Sequence, residues 1–211
     1  MSTEPLPDIV LIHGHDLGRW LGVSGMDHVP SPRINRFAQD AVVFESAHAA
    51  APLCSFIVRW PGGGVRAGAI VRSPHQLTHV LPTVLEAVGL DRPIGPDGHD
   101  IVPLEGDSFL DELRASGRPH REQPLFWEHC GNAAVRRGDW KLVRIYGQPW
   151  ELYDLAADPT EPHDVIDEHR ELAEELLELW IAWARRIGVR AFSAIVDLFP
   201  IRGADERAAQ R

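Results

Sequence analysis

Three side chains near the start of the chain, and one thiol further on, have types and spacing that could do chemistry. His13-x-His15-Asp16 ends a β-branched apolar run, Asp8-Ile-Val-Leu-Ile-His13, which reads as a buried strand closed by Gly14. In an open α/β sheet the C-terminal edge of the strands is where ligands bind. Imidazole nitrogens suit zinc and similar metals, while the Asp16 carboxylate also suits calcium or magnesium. Two histidines one residue apart on a strand point to opposite faces, so a shared ion requires a turn there. The alternative is an aspartate capping a turn beside solvated histidines. Cys54 lies in a small-residue loop, 47–55, and its lone thiol admits a nucleophilic or a structural role. No basic residue within a few positions lowers its pKa. Cys130, inside a C-terminal sheet, reads as packing. A His-x-His-x-Asp-His metallohydrolase signature fails, since Asp16 follows His15 directly and Leu17 comes next.

The elements that would position these groups read as α/β. Ser31 is a candidate N-cap for a short helix with Pro32 at its first position and Ile34, Phe37 and Ala38 on one face. Strands follow at 41–46 and 56–60, the second beginning with no punctuation after Ser55. Residues 80–88 suit a helix stopped by Gly89. Asp107 or Ser108 can cap a further short helix through Leu113. In the C-terminal third, residues 125–129, 133–137, 140–146 and 150–154 read as an antiparallel sheet, with Gly138-Asp139 as a two-residue hairpin turn. A long helix is expected from about Asp164, as its cap, to Arg186, with Gly188 ending it. Its Trp180 and Trp183 either pack on the small sheet or form a partner-binding stripe.

With 21 basic and 31 acidic side chains the net charge is −10. That balance argues against nucleic acid or an anionic membrane as partner. No apolar run has membrane-spanning length and the first residues lack a signal peptide's positive start, so the chain reads as cytoplasmic. Two cysteines make no disulfide scaffold. Twenty of the basic residues are arginine and only Lys141 is lysine, which excludes any mechanism needing two lysines.

In order along the chain, several segments resemble the type I sulfatase family of the alkaline phosphatase superfamily. Pro7-Asp-Ile-Val-Leu-Ile-His-Gly-His-Asp-Leu-Gly18 is similar to its opening strand and Asp-Asp-Leu-Gly metal loop. Ser31-Pro-Arg-Ile-Asn-Arg-Phe-Ala38 resembles its Thr-Pro-Asn-Ile-Asp-Arg-Leu-Ala helix. The stretches 41–48 and Ala51-Pro-Leu-Cys-Ser55 resemble the run into its active-site cysteine. Phe56-Ile-Val-Arg-Trp-Pro-Gly62 and Leu81-Pro-Thr-Val-Leu85 match a later section. Residues 131–143 and 150–158 look like bacterial arylsulfatases. The resemblance implies a sulfuric ester hydrolase acting on a sulfated small molecule or glycan. In the family, the cysteine of Cys-x-Pro-Ser-Arg becomes formylglycine, whose hydrate attacks sulfur while a divalent cation, usually calcium, holds the sulfate oxygens. Carried over by position, Cys54 is the formylglycine precursor, and His15 and Asp16 fall on the first pair of metal ligands.

The match breaks after Ser55. The family requires Pro-x-Arg there, and this chain reads Phe56-Ile57-Val58. The section that separates these stretches in complete relatives, with its catalytic lysines and histidines and its second Asp-Asn metal pair, is missing at that junction. His15 replaces the usual first aspartate, and His79 stands where the family often has Asp before Leu-Pro-Thr. Two readings follow: a sulfate ester hydrolase, or an internally deleted remnant without turnover. The expected architecture is a truncated α/β core over 1–122, a remnant of the large mixed sheet. A small antiparallel sheet packed by the long helix follows over 123–188, then a tail, 189–211, whose role is open.

Overall fold

The computed structural model describes residues 10, 30–44, 47–48, 56–65, 67–91, 104–114 and 123–196. Two compact units divide the chain between Arg121 and Glu122. No helix among the described residues is long and apolar enough to cross a membrane.

The first unit opens with α1 (Pro32–Gln39). Proline's fixed φ suits the first helical turn, where its missing N–H costs nothing. Ser31 does not cap it as expected: its hydroxyl donates to Asn35 Oδ1 at 3.0 Å, and no backbone N–H of the first turn donates to its Oγ. The expected apolar face is only partly buried, Ala38 being enclosed while Ile34 and Phe37 are exposed. A three-stranded mixed sheet follows, in the order β3 (Phe56–Val58), β1 (Val42–Phe44), β4 (Ile70–Val71). The central strand, β1, pairs antiparallel with β3 and parallel with β4, and all three of its residues are buried. β-Branched and aromatic residues without polar alternation suit such a strand. Part of the expected loop is extended: β2 (Ala47–His48) pairs parallel with β5 (His75–Gln76). Helices α2 (Val80–Val88) and α3 (Leu110–Leu113) complete the unit. Gly89 stops α2 in the left-handed region at φ 66°, which a glycine adopts at no steric cost. The N-cap of α3 is Phe109, not Asp107 or Ser108 as expected, although Ser108 Oγ accepts the Leu110 N–H at 3.2 Å. Around Phe44 the rings of Phe56, Phe109 and His75 gather at 5.0–5.2 Å, with Val71, Leu110 and Leu113 buried in the same core.

The second unit is an antiparallel meander, β6 (Leu125–His129), β7 (Asn132–Arg137), β8 (Trp140–Arg144) and β9 (Trp150–Asp154), with α4 (Arg170–Ile187) against it. Period-two alternation fixes its inner face. Phe126, Val135, Leu142 and Leu152 lie directly opposite one another across the four strands, and Leu176 of α4 packs on that row. Gly138 takes φ 59° at the first position of the expected two-residue turn, relieving the strain a side chain would meet there. Both tryptophans of α4 pack on the sheet. Trp183 stacks on Phe126 at 5.1 Å and 7°, and Trp180 meets Trp150 edge-on while its Nε1 donates to the Trp127 carbonyl at 3.1 Å.

Two expectations for this unit fail. The long helix starts at Arg170, six residues after Asp164. Asp164 Oδ1 instead accepts the N–H of Leu152, on edge strand β9, and that of Ile166. A short carboxylate that can bond nearby backbone favours a turn over a helix, and here it ties the connection to the sheet. Cys130 is not packed inside the sheet either. It is exposed at the β6–β7 turn at φ 52°, followed by Gly131 at φ 82°, the two positive-φ positions of a tight hairpin. Beyond α4, a short helix α5 (Phe192–Val196) lies in what the sequence left open, with Phe192 edge-on to Tyr146.

The outward face of β9 supplies a pH prediction. Tyr153 is buried and its hydroxyl donates to the Glu151 carboxylate at 3.0 Å. Burial, then that bond and nearby carboxylates, push the phenol from 10.0 up to about 12. The unfolded chain therefore ionises first, so this group's stabilisation is complete below about pH 10 and lost between there and about pH 12. Denaturation midpoints measured across that window should fall less steeply in Tyr153→Phe than in the parent. Equal slopes would contradict the assignment.

Candidate functional site

His15, Asp16 and Cys54 lie outside the described residues, but the elements flanking Cys54 are defined. The β1–β3 ladder ends at the pair Phe44–Phe56, so the chain leaves and rejoins the sheet there, and Cys54 comes two residues before the return. Within that excursion β2 is held in register on β5, Ala47 opposite His75 and His48 opposite Gln76. The residue after Ser55, Phe56, is thus committed to the aromatic core and to a ladder pair.

Next to these strands is a buried polar cluster. His75 and His79 are 1% and 3% exposed, and their Nδ1 atoms are 3.4 Å apart, so one ring nitrogen donates and the other accepts. His75 Nε2 meets Glu112 Oε2 at 3.0 Å, and Ser73 Oγ donates to the other oxygen of the same carboxylate. Thr83 links the helices: its hydroxyl donates to the His79 carbonyl at 2.7 Å and accepts the Phe109 N–H at 3.0 Å. Gly106 lets the neighbouring segment close over His79, because a Cβ there would lie 2.5 Å from the imidazole. A carboxylate bridging a serine and a histidine could in principle serve proton transfer. Enclosure of both imidazoles makes this cluster a structural joint between β5, α2 and α3. Among the described residues no group of three or more His, Cys, Asp or Glu could hold a metal ion.

Sequence reasoning singled out His79 only as a departure from a family aspartate, and missed Ser73, His75 and Glu112. Four-residue spacing of His75 and His79 ahead of Leu81-Pro-Thr83 was the available signal; Glu112 has none, since the fold brings it from 37 residues away. Thr83→Val keeps the shape but removes both bonds. It should lower stability by about 1–3 kcal/mol, the cost of leaving a buried N–H unsatisfied. Denaturant unfolding checks this, and a change below about 0.5 kcal/mol would contradict the assigned role.

Lys141 is engaged: both Glu161 oxygens lie within 2.6 and 2.8 Å of its Nζ, on the outward face of the small sheet. The chain's single lysine therefore serves the second unit's structure.

Residues 42–181 match the family model described as N-sulphoglucosamine sulphohydrolase, C-terminal, which is well over half of the chain. The chain belongs to the sulfatase family. An uncharacterized sulfatase of Schizosaccharomyces pombe is 30% identical over 146 residues, covering 60% of this chain and 26% of that protein. Arylsulfatase K of Rattus norvegicus is 28% identical over 125 residues, 54% of this chain and 22% of its own. This sulfatase thus spans about a quarter of the length of the curated relatives it matches. Its fold is similar to that in the crystal structure of Ps i-CgsB, with a TM-score of 0.51 and 24% identity over 62% of this chain and 28% of that one. The same protein has been crystallised in complex with k-i-k-neocarrahexaose. The expected α/β class, with a small sheet and a long helix, agrees with this fold. The family match runs across the Ser55–Phe56 junction.

Proposed function

We propose that this sulfatase carries the framework of a sulfuric ester hydrolase without completing its catalytic site. Family membership supports the reaction class: hydrolysis of a sulfate ester on a small molecule or glycan, the ligand class of the neocarrahexaose complex. On that reading Cys54 occupies the formylglycine position, and His15 and Asp16 the first metal-ligand pair for a divalent cation, with calcium the family's usual choice. Two donors, one of them a nitrogen, fall short of the six to eight oxygens that calcium takes. The donor set therefore does not fit a tight calcium site.

A second reading, absence of turnover, is the one we favour for this chain, and one observation carries it. Phe56 follows Ser55 directly and, half-buried in β3, packs against the first unit's core, so the positions that should complete Cys-x-Pro-x-Arg are spent on a ladder. Without formylglycine a plain thiol cannot form the hydrated aldehyde that attacks sulfur. Nor is a lysine left to stabilise developing charge, Lys141 being held by Glu161. Co-expression with the formylglycine-generating enzyme, followed by intact-mass measurement, tests the reading. Cys54 should stay a thiol. Conversion to the aldehyde would restore the hydrolase reading.

A further inference from the structure

We propose that the buried His75–His79 pair is an acid-sensitive latch, which parts as pH falls below about 6.5 and loosens the joint of β5, α2 and α3. An imidazolium carries a proton on both ring nitrogens, so two charged rings hold four protons. The Nδ1 atoms of His75 and His79 are 3.4 Å apart and share one hydrogen bond, which needs one of the two bare. The folded pair therefore holds three protons at most, whichever ring carries the charge. One proton lies between the Nδ1 atoms, and one on His75 Nε2 donates to the Glu112 carboxylate at 3.0 Å. A fourth would set two N–H groups end to end in a space closed to water, the residues being 1% and 3% exposed.

The neighbours leave little room to adjust. Both Glu112 oxygens are engaged, one by His75 and one by Ser73. The rings of Phe44 and Phe109 lie 5.0 and 4.8 Å from that of His75. From α2, the Thr83 hydroxyl holds the His79 carbonyl, and the Gly106 backbone bars the His79 ring from swinging towards it. On β2, Ala47 is opposite His75 and His48 is opposite Gln76. Arg72, Glu105, Asp107 and Asp111, on the flanking segments, are exposed. A fourth proton thus separates the two rings, and with them the Glu112 bond that ties α3 to β5. In the unfolded chain both histidines charge near about pH 6.5 and take all four protons. The unfolded state binds more protons, so the pair's stabilisation is complete above that pH and is lost as pH falls.

Nitrogen NMR of the histidine-labelled intact chain, recorded from about pH 6.5 to about pH 5, should show one bare ring nitrogen in this pair throughout the folded form. Two fully protonated rings in the folded form would overturn the proposal. Over the same range hydrogen exchange, corrected for its intrinsic pH dependence, should lose protection at 75–88 and 110–113 by up to about tenfold per pH unit, one proton's worth. In His79→Asn the amide can donate to His75 Nδ1 or accept from it, yet takes no proton, so the loss should shrink by about fivefold or more. His129→Asn, which removes an exposed histidine of the second unit, should lose protection as the parent does. An equal loss in His79→Asn and the parent, or an equal reduction in His129→Asn, would count against the latch.

Discussion

Leu176→Ala should destabilise the second unit by about 3–5 kcal/mol, towards the upper end of what a buried leucine truncation costs. Leu176 is fully enclosed and is the point at which α4 meets the inner row of the sheet, Val135, Leu142 and Leu152. All four are at most 1% exposed. Helix on one side and ladder pairs on the other leave little room for collapse into the cavity, so the transfer and cavity terms add. Five of the chain's seven tryptophans, Trp127, Trp140, Trp150, Trp180 and Trp183, belong to this unit, so denaturant unfolding followed by tryptophan fluorescence reads it directly. Leu176→Met, close in volume, should cost less than about 1.5 kcal/mol. A loss below about 1 kcal/mol in Leu176→Ala would mean that α4 does not seal the core.

In the first unit the corresponding change is Phe44→Ala, expected to cost about 3–5 kcal/mol. Phe44 is 2% exposed, pairs with Phe56 across the ladder, and contacts the His75 and Phe109 rings edge-on. Its removal leaves a cavity beside the His75–Glu112 pair and opens that buried bond to water. Hydrogen exchange read peptide by peptide should show protection lost over 42–44 and 56–58 first, while 133–154 keep theirs. Equal loss in both segments would contradict the place of Phe44 in the first unit's core.

The second unit was legible because its signals are local. Strand alternation, a glycine in a two-residue turn and the acid-to-base gradient of α4 each act within a few residues, and all agree. The start of α4 was misplaced because Asp164 satisfies two backbone donors, one of them on β9, and a partner 12 residues away leaves no trace in a capping pattern. Cys130 was misread for a related reason: hydrophobic type argues for burial, but a turn with two positive φ angles overrode it. The first unit was harder. β4 and β5 are two residues each and gain their order from β1 and β2, not from periodicity. Its polar cluster joins residues as much as 39 positions apart. Family membership came from ordered motifs, and the residue-level site could be carried over only by position.

The proposal of an uncompleted site turns on Phe56-Ile57-Val58 standing after Ser55 where Pro-x-Arg is expected. Its most direct test is hydrolysis of an aryl sulfate by the purified chain, co-expressed with the formylglycine-generating enzyme and assayed with calcium in excess. Turnover should not exceed that of Cys54→Ala prepared identically. Calcium-dependent hydrolysis that disappears in Cys54→Ala would contradict it, and would show that a formylglycine site forms without Pro-x-Arg.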